Sequence, residues 1–191
     1  MSDKQPATPV LGLIGSATDG LDELLPSLIE PIQASGWRVA VTLTPTAATW
    51  LRASGDLARI EAATGLPVRS QARLPIQVSP HPPIDCFAVA PASANTVAKL
   101  AVGIADNQAL TSVSEAIGSG DPPIVVFPRI NTAHAQHPAW PGHVATLRGA
   151  GVRVLIGEDI WPLPQPRAIP SHDVAWSRII DAIVSTRQAR Q

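Results

Sequence analysis

Polar side chains follow a strongly apolar run near the middle of the chain. The run is residues 84–90, and Ser93, Asn95 and Thr96 come shortly after it. Pro91 lacks an N–H group, so we expect it to end the strand, and Ser93 or Asn95 can cap a helix that follows. Backbone N–H groups exposed at such a junction suit a phosphate or a flat polar ring system. An ordinary strand–helix connection with a good cap is the alternative.

Similar loops follow three other apolar runs. Each run is typical of a buried strand, and each loop is rich in hydroxyl, amide or small side chains. They are Gly15-Ser16-Ala17 after 10–14, Thr44-Pro45-Thr46 after 38–43, and residues 128–131 after 123–127. Few charges accompany them, which favours an anionic cofactor held by dipoles and hydrogen bonds. Neither a Walker loop nor the dinucleotide glycine fingerprint occurs, so a phosphate-bearing flavin fits best.

Helical patterns alternate with these strands. They cover 21–32, 47–51, 56–64, 97–101, 108–117, 140–148 and 174–187, and a last strand is expected at 152–156. Pro26 and Pro31 predict a late start or a kink in the first helix. The alternation predicts a single-domain α/β fold over residues 9–191. Its sheet is doubly wound and parallel in a three-layer α/β/α arrangement, Rossmann-like or flavodoxin-like. Residues 1–8 are expected to be a flexible lead-in, and 66–83 and 157–172 proline-rich loops.

Composition narrows the possible partners. The chain has 191 residues, a net charge of −1 and no Lys/Arg run, which argues against a nucleic acid or an anionic membrane surface. Cys86 is the single cysteine and lies among apolar neighbours, which indicates a buried, inert thiol. The first residues lack a signal-peptide core and no apolar stretch reaches membrane-spanning length, so we expect a cytoplasmic protein.

Pro91-Ala92-Ser93-Ala94-Asn95-Thr96, together with residues 99–107, resembles the signature of the homo-oligomeric flavin-containing cysteine decarboxylases. The resemblance extends over residues 9–156. It implies an FMN cofactor at a subunit interface, and a homo-oligomer built from trimers, possibly a dodecamer. It also implies a peptide or small-molecule substrate, with oxidative decarboxylation of a C-terminal cysteine. The implied cofactor-binding residues are Gly15, Ser16, Ala17, Thr44, Thr46, Pro91, Ala92, Ser93, Ala94, Asn95, Thr96 and Ser112.

The sequence departs from that family at its catalytic positions. Pro75 stands where the family has its catalytic histidine, and a proline side chain cannot carry a proton. The second family motif keeps Pro128 and Asn131 but lacks both methionines and the tryptophan. Asn131 is the residue implied to contact the substrate carboxylate.

A base must therefore come from elsewhere. His134 and then His81 are the candidates by their place near the loops, although either can equally be a surface histidine. No residues show metal-ligand spacing of the zinc-protease type, so we expect no metal site. A related FMN oxidoreductase remains possible. The alternative is a catalytically diverged FMN-binding redox or scaffold protein without decarboxylase activity.

Overall fold

The structure is a computed structural model that describes residues 8–74, 76–168 and 173–188. Residues 1–7 of the predicted lead-in, Pro75 and residues 169–172 of the second predicted loop lie outside the described residues. One continuous α/β unit accounts for the rest.

Five parallel strands form the sheet of the described chain. They are β1 (Val10–Gly15), β2 (Arg38–Leu43), β3 (Cys86–Ala92), β4 (Ile124–Pro128) and β5 (Arg153–Val154). Their spatial order is β2-β1-β3-β4-β5. The chain runs from β1 outward to β2 and then crosses to the other side of β1, which makes a switch point between β1 and β3. The predicted doubly wound parallel fold is confirmed.

Helices cover both faces of this sheet. They are α1 (Glu30–Ala34), preceded by a π-helical turn at Leu25–Ile29, α2 (Pro45–Ser54), α3 (Asp56–Thr64), α4 (Ala94–Ala101), α5 (Gln108–Ser119), α6 (Thr132–Ala135), α7 (Trp140–Gly149) and α8 (Trp176–Gln188). The first helical turn begins at Leu25 rather than at residue 21, as expected from Pro26. The short helix α6 was not predicted.

Two apolar cores hold the layers together. On one face Leu13 packs with Leu28 and with residues of α2, α3 and α8. On the other face Val89 packs with Leu110 of α5 and Leu147 of α7. Burying a side chain of this size stabilises the fold by about 1.5–3 kcal/mol. The strand ends are therefore held in fixed positions by packing on both sides.

The bounds of β3 and β5 differ most from the sequence predictions. Pro91 does not end β3, which continues to Ala92 and pairs there with Pro128. The ladder is irregular between Val89 and Ala92, so the N–H that Pro91 lacks is not required for pairing. The last strand is Arg153–Val154 rather than 152–156, because it is an edge strand that pairs only with β4.

The described part of the proline-rich segment 157–172 packs back on its own chain. Trp161 is buried, and its indole Nε1 donates to the backbone oxygen of Ile130 at 3.0 Å. Cys86 is also fully buried, as expected. Among the described residues, no helix is both long and apolar enough to cross a bilayer.

Candidate functional site

A cavity of about 540 Å³ opens at the switch point, between the carboxyl ends of β1 and β3. We call it the rim cavity. Its volume lies within the roughly 300–1,000 Å³ typical of small-molecule sites. It is lined by Ser16, Ala17, Thr18, Thr44, Pro45, Thr46, Trp50, Ser93, Ala94, Asn95, Thr96, Lys99, Asp106, Asn107, Leu110, Arg129 and His134.

Ser16 joins the two loops that form the floor of the rim cavity. Its hydroxyl donates to the Pro91 carbonyl at 2.8 Å and accepts from the Ser93 N–H at 2.7 Å. Its backbone N–H also donates to the Pro91 carbonyl, at 3.1 Å. Because the hydroxyl proton is already used and the residue is buried, Ser16 positions the floor rather than donating to a ligand.

Gly15 has a packing role in the same floor. A Cβ at this position would lie 2.7 Å from the Leu43 Cδ2 atom, which is closer than a van der Waals contact allows. Gly15 is therefore the residue that lets β1 and β2 end side by side under the cavity.

Three helices begin at the rim cavity. The Ser93 hydroxyl accepts from the Thr96 N–H at 3.2 Å and caps α4, while the Asn107 side chain accepts from the Leu110 N–H at 3.1 Å and caps α5. Helix α2 begins after Thr44, whose side chain makes no capping bond. First-turn N–H groups such as those of Ala94 and Asn95 have no partner inside the helix. Their partial positive charges, added over three helices, favour an anion.

The charged side chains of the rim cavity are mostly paired. Lys99 forms an ion pair with Asp106, and the hydrogen bond from Lys99 is the main cause that lowers the pKa of the Asp106 carboxyl. The remaining formal charge at the cavity wall is the guanidinium of Arg129. The cavity therefore offers mainly neutral donors and helix ends.

Arg129 is the principal site residue that the sequence analysis did not identify. Its side chain is only 6% exposed, and Nη2 donates to Asp19 at 2.8 Å and lies 3.5 Å from Glu23. The guanidinium carbon lies 4.1 Å from the centroid of the Trp161 ring. Nε and Nη1 are buried and have no hydrogen-bond partner among the described residues. A charged residue directly after a buried strand was the available sequence indication.

Asn131 and His134 lie beside Arg129, at the start of α6. The Asn131 side-chain oxygen accepts from the His134 N–H at 3.0 Å and caps that helix. Only its amide nitrogen is then left to donate to a ligand. Both residues line a second cavity of about 360 Å³, here called the side cavity, which adjoins the rim cavity at Thr18, Arg129 and His134.

His81 and Ser112 lie apart from these residues. Both line a third cavity of about 710 Å³, the face cavity, formed beside α5 by residues 78–84 and Arg69. The His81 Nε2 lies 2.8 Å from the Pro67 carbonyl oxygen. Burial is the main cause that lowers the pKa of His81, and the Pro67 hydrogen bond opposes this. His81 and Ser112 therefore line the same cavity, and neither of them lines the rim cavity.

A further, apolar cavity of about 300 Å³ lies between α4 and α7. His134, His137 and His143 line it together with Trp140. Across the described residues, no three His, Cys, Asp or Glu side chains are grouped so that they could hold a metal ion. The cavity meets the rim cavity at Ala94, Asn95 and His134.

The predicted site residues divide into those at the rim cavity and those outside it. Those that line it are Ser16, Ala17, Thr44, Thr46, Ser93, Ala94, Asn95, Thr96 and His134. Gly15, Pro91 and Ala92 are buried strand residues beneath it, and Asn131 lines the side cavity. The fold and this cavity together define a doubly wound α/β protein with a cavity rich in hydrogen-bond donors at the switch point.

The chain belongs to the Flavoprotein family. The sequence model of that family matches residues 10–188, which is nearly the whole chain. The predicted relation to the flavin-containing cysteine decarboxylases is confirmed at the level of the family and its structural relatives.

Two sequence relatives share shorter segments with the chain. A cysteine/cysteine sulfinic acid decarboxylase from an unknown prokaryotic organism is 35% identical over 71 residues, which are 37% of this chain and 19% of that protein. An uncharacterised protein from Methanocaldococcus jannaschii is 42% identical over 59 residues, 31% of each chain. The matched segments thus span less than a third of the length of either relative.

Solved structures share the fold over nearly the full chain. The FMN-dependent cysteine decarboxylase TvaF from thioviridamide biosynthesis is 20% identical with a TM-score of 0.69, covering 95% of this chain and 99% of that one. The FMN-dependent cysteine decarboxylase SpaF is 22% identical with a TM-score of 0.68, covering 95% and 98%. A PPC decarboxylase variant complexed with pantothenoylaminoethenethiol is 17% identical with a TM-score of 0.63, covering 95% and 100%.

Proposed function

We propose that the rim cavity binds FMN and that the protein is a flavin-dependent decarboxylase of a cysteine-containing substrate. The observation that carries the proposal is the donor set at the switch point, where three helix N-termini and several hydroxyl groups meet in one cavity. Family membership and the FMN-dependent structural neighbours support the same cofactor.

The lining residues fit the chemistry of FMN. The amide groups at the starts of α2 and α4, with the Thr46 hydroxyl, would hold the phosphate and the ribityl hydroxyls. Asn95 and the half-exposed ring of Trp50 border the space that a flat ring system would need. Lys99 stays paired with Asp106, so no lysine is required for the phosphate.

The neighbouring residues Asn131 and His134 suit a carboxylic acid substrate. The free amide nitrogen of Asn131 can donate to the substrate carboxylate, and the imidazole of His134, at the junction of the cavities, can take the thiol proton. Bound FMN supplies the two-electron acceptor, so that a C-terminal cysteine loses CO2, passes two electrons and two protons to the cofactor, and becomes an enethiol. His81, in the face cavity, is a weaker candidate for the base.

Two measurements test this proposal. The absorption spectrum of the purified protein should show bound flavin, and a colourless protein that takes up no added FMN would exclude the cofactor. A peptide ending in cysteine should release CO2 and bleach the flavin. The Asn131→Ala variant should lose this turnover and keep its flavin, whereas full turnover would exclude the role given to Asn131.

A diverged FMN-binding redox or scaffold protein is the second candidate. It is favoured by the loss of both motif methionines and by Pro75, which lies outside the described residues. Flavin binding without CO2 release from any cysteine peptide would identify this alternative.

We also propose a homo-oligomer built from trimers, up to a dodecamer, located in the cytoplasm. The exposed apolar side chains of Leu74, Ile76 and Val78 support association, since Ile76 and Val78 are each 89% exposed. The native mass from light scattering should be a multiple of three chains, and the Ile76→Ser/Val78→Ser double variant should dissociate. A monomer at micromolar concentration would contradict the assembly.

A further inference from the structure

The side cavity has a different chemistry from the rim cavity that it adjoins. Arg129 and Arg167 line it, and Asp19 is the acidic residue in its wall. Asp19 is already bound to the Nη2 of Arg129. Glu23 lies 3.5 Å from the same Nη2, so both acidic partners of Arg129 bind through one nitrogen and leave Nε and Nη1 unused within the described residues.

The uncharged groups of the side cavity also point toward an anion. The Asn131 amide nitrogen is left without a partner when the side-chain oxygen caps α6. The Gln165 side-chain oxygen accepts from the Thr132 hydroxyl at 3.2 Å, which leaves the Gln165 amide nitrogen to donate. Trp161 and Pro164 complete the wall with apolar surface. Two amide donors, from Asn131 and Gln165, and an apolar wall thus border the space beside Arg129.

Arg129 is the buried charged side chain of this wall, and two of its three side-chain nitrogens are unpaired among the described residues. It lies between the Trp161 ring and Gly20, and its Nε and Nη1 find no acceptor in the described part of the chain. Buried donors of a charged group that lack an acceptor cost free energy. An anion that accepts hydrogen bonds from them would therefore bind more tightly.

We propose that the side cavity holds a carboxylate of the substrate and that Arg129 selects for this charge. The inference rests on the proposed function because it takes the rim cavity as the place of the cofactor. Two sources of the carboxylate are compatible with the cavity, namely the C-terminal carboxylate of the cysteine residue or an acidic side chain on the residue before it.

Unreactive ligands test the charge and its source. Isothermal titration calorimetry is carried out with N-acetylalanine, with N-acetyl-Glu-Ala-amide, and with the neutral N-acetyl-Gln-Ala-amide and N-acetylalaninamide. None of them has a thiol, so none is oxidised. We expect at least one acid to bind about tenfold or more tightly than its neutral partner, as for a hydrogen-bonded charge pair. The acid that shows this preference identifies the source.

Four variants assign the preference to Arg129. Arg129→Met should abolish it, whereas Arg167→Met, which changes an exposed arginine of the same cavity, should reduce it by less than about threefold. Arg129→Lys retains the charge and should keep part of the preference. Asp19→Asn should strengthen acid binding by about threefold or more, since one competing carboxylate is removed.

A purely structural role for Arg129 predicts the opposite pattern. Asp19→Asn would then weaken acid binding or leave it unchanged, and that result would overturn the inference. Equal binding of acids and neutral partners by the unaltered protein, or an undiminished preference in Arg129→Met, would also overturn it. The titrations are repeated without FMN and circular dichroism checks the fold of each variant. Failure to bind flavin would therefore contradict the proposed function and still leave the acid preference measurable.

Discussion

The rim cavity and the side cavity lie next to each other at the carboxyl ends of the strands, but they present positive charge in different ways. In the rim cavity the positive potential comes from the first turns of three helices and from hydroxyl groups. In the side cavity it comes largely from one buried guanidinium with its own acidic partners. The first arrangement spreads the charge over many backbone groups, and the second concentrates it in Arg129.

This difference determines how each cavity responds to substitution. Backbone N–H groups stay in place when single side chains change, so the rim cavity should lose affinity gradually. Binding in the side cavity depends on the packing around one long side chain. Its affinity for an anion should therefore fall sharply when Arg129 or its contacts are altered. The following predictions test that contrast.

The largest effect is expected at Gly20, which contacts the Arg129 side chain. Gly20 has a φ of +77°, and a Cβ there would lie 2.6 Å from the Arg129 Nη1 and 2.9 Å from the guanidinium carbon. We expect Gly20→Ala to lower the free energy of unfolding by about 2–4 kcal/mol, from backbone strain and displacement of the guanidinium. Denaturant unfolding measures this change.

Gly36→Ala is the matched control. Gly36 has a similar φ of +81° but nothing within 4 Å of the added Cβ, so strain alone should cost about 1–2 kcal/mol. Equal costs for the two variants would show that the Arg129 contact contributes nothing.

A smaller effect is expected at Ser16, under the rim cavity. Ser16→Ala removes the hydroxyl that links the Pro91 carbonyl to the Ser93 N–H. We expect it to lower the free energy of unfolding by about 1–3 kcal/mol and to weaken FMN binding moderately, because the helix N-termini remain. Complete loss of FMN with an intact fold would contradict the idea that the charge is spread over many groups.

Ser112→Ala shows whether the cofactor site extends beyond the rim cavity. The Ser112 hydroxyl donates to the Gln108 carbonyl at 3.2 Å, in the wall of the face cavity. We expect the FMN dissociation constant to stay unchanged in a fluorescence titration. A clear rise in that constant would place the face cavity in the cofactor site, as the family resemblance implies.

A small pH dependence is expected from His81. Because burial lowers the pKa of His81, the unfolded chain takes up its proton first, near the ordinary pKa of about 6.5. This group's contribution to stability is therefore complete above that pH and is lost as the pH falls toward the lower pKa of the folded state. His81→Gln, which keeps a donor for the Pro67 carbonyl, should show a shallower loss of stability in acid. An identical pH slope in the variant would contradict this assignment.

Much of the fold was predictable from the sequence. The Val/Ile/Leu-rich runs at 10–14, 38–43 and 123–127 correspond to β1, β2 and β4. Strands of a parallel sheet are buried on both faces, so they read as nearly continuous apolar runs. The strand end predicted at Pro91 was wrong. The missing N–H of a proline interrupts a regular ladder, but the β3–β4 ladder is irregular at this point. The late start of the first helix followed from Pro26 alone.

The candidate site was only partly predictable. Ser93 was expected as a helix cap and is one, since capping depends on neighbouring residues in the chain. Arg129 was overlooked because its burial depends on Asp19 and Glu23 at one side and Trp161 at the other, all distant in sequence. His81 could not be placed from its position in the chain, since the described part of residues 66–85 has little regular secondary structure. Ser112 could not be placed either, because its cavity forms where that segment packs beside α5.

The sequence by itself determined the alternation of strands and helices, the capped start of α4 at the rim cavity and the family to which the chain belongs. These properties depend on hydrophobic periodicity and on groups close together in the chain. Only the tertiary structure decided the strand order, the division of the polar residues among separate cavities and the burial of a charged arginine beside them. Those features arise where segments far apart in sequence pack together, and a guanidinium can be buried only where such segments supply its partners.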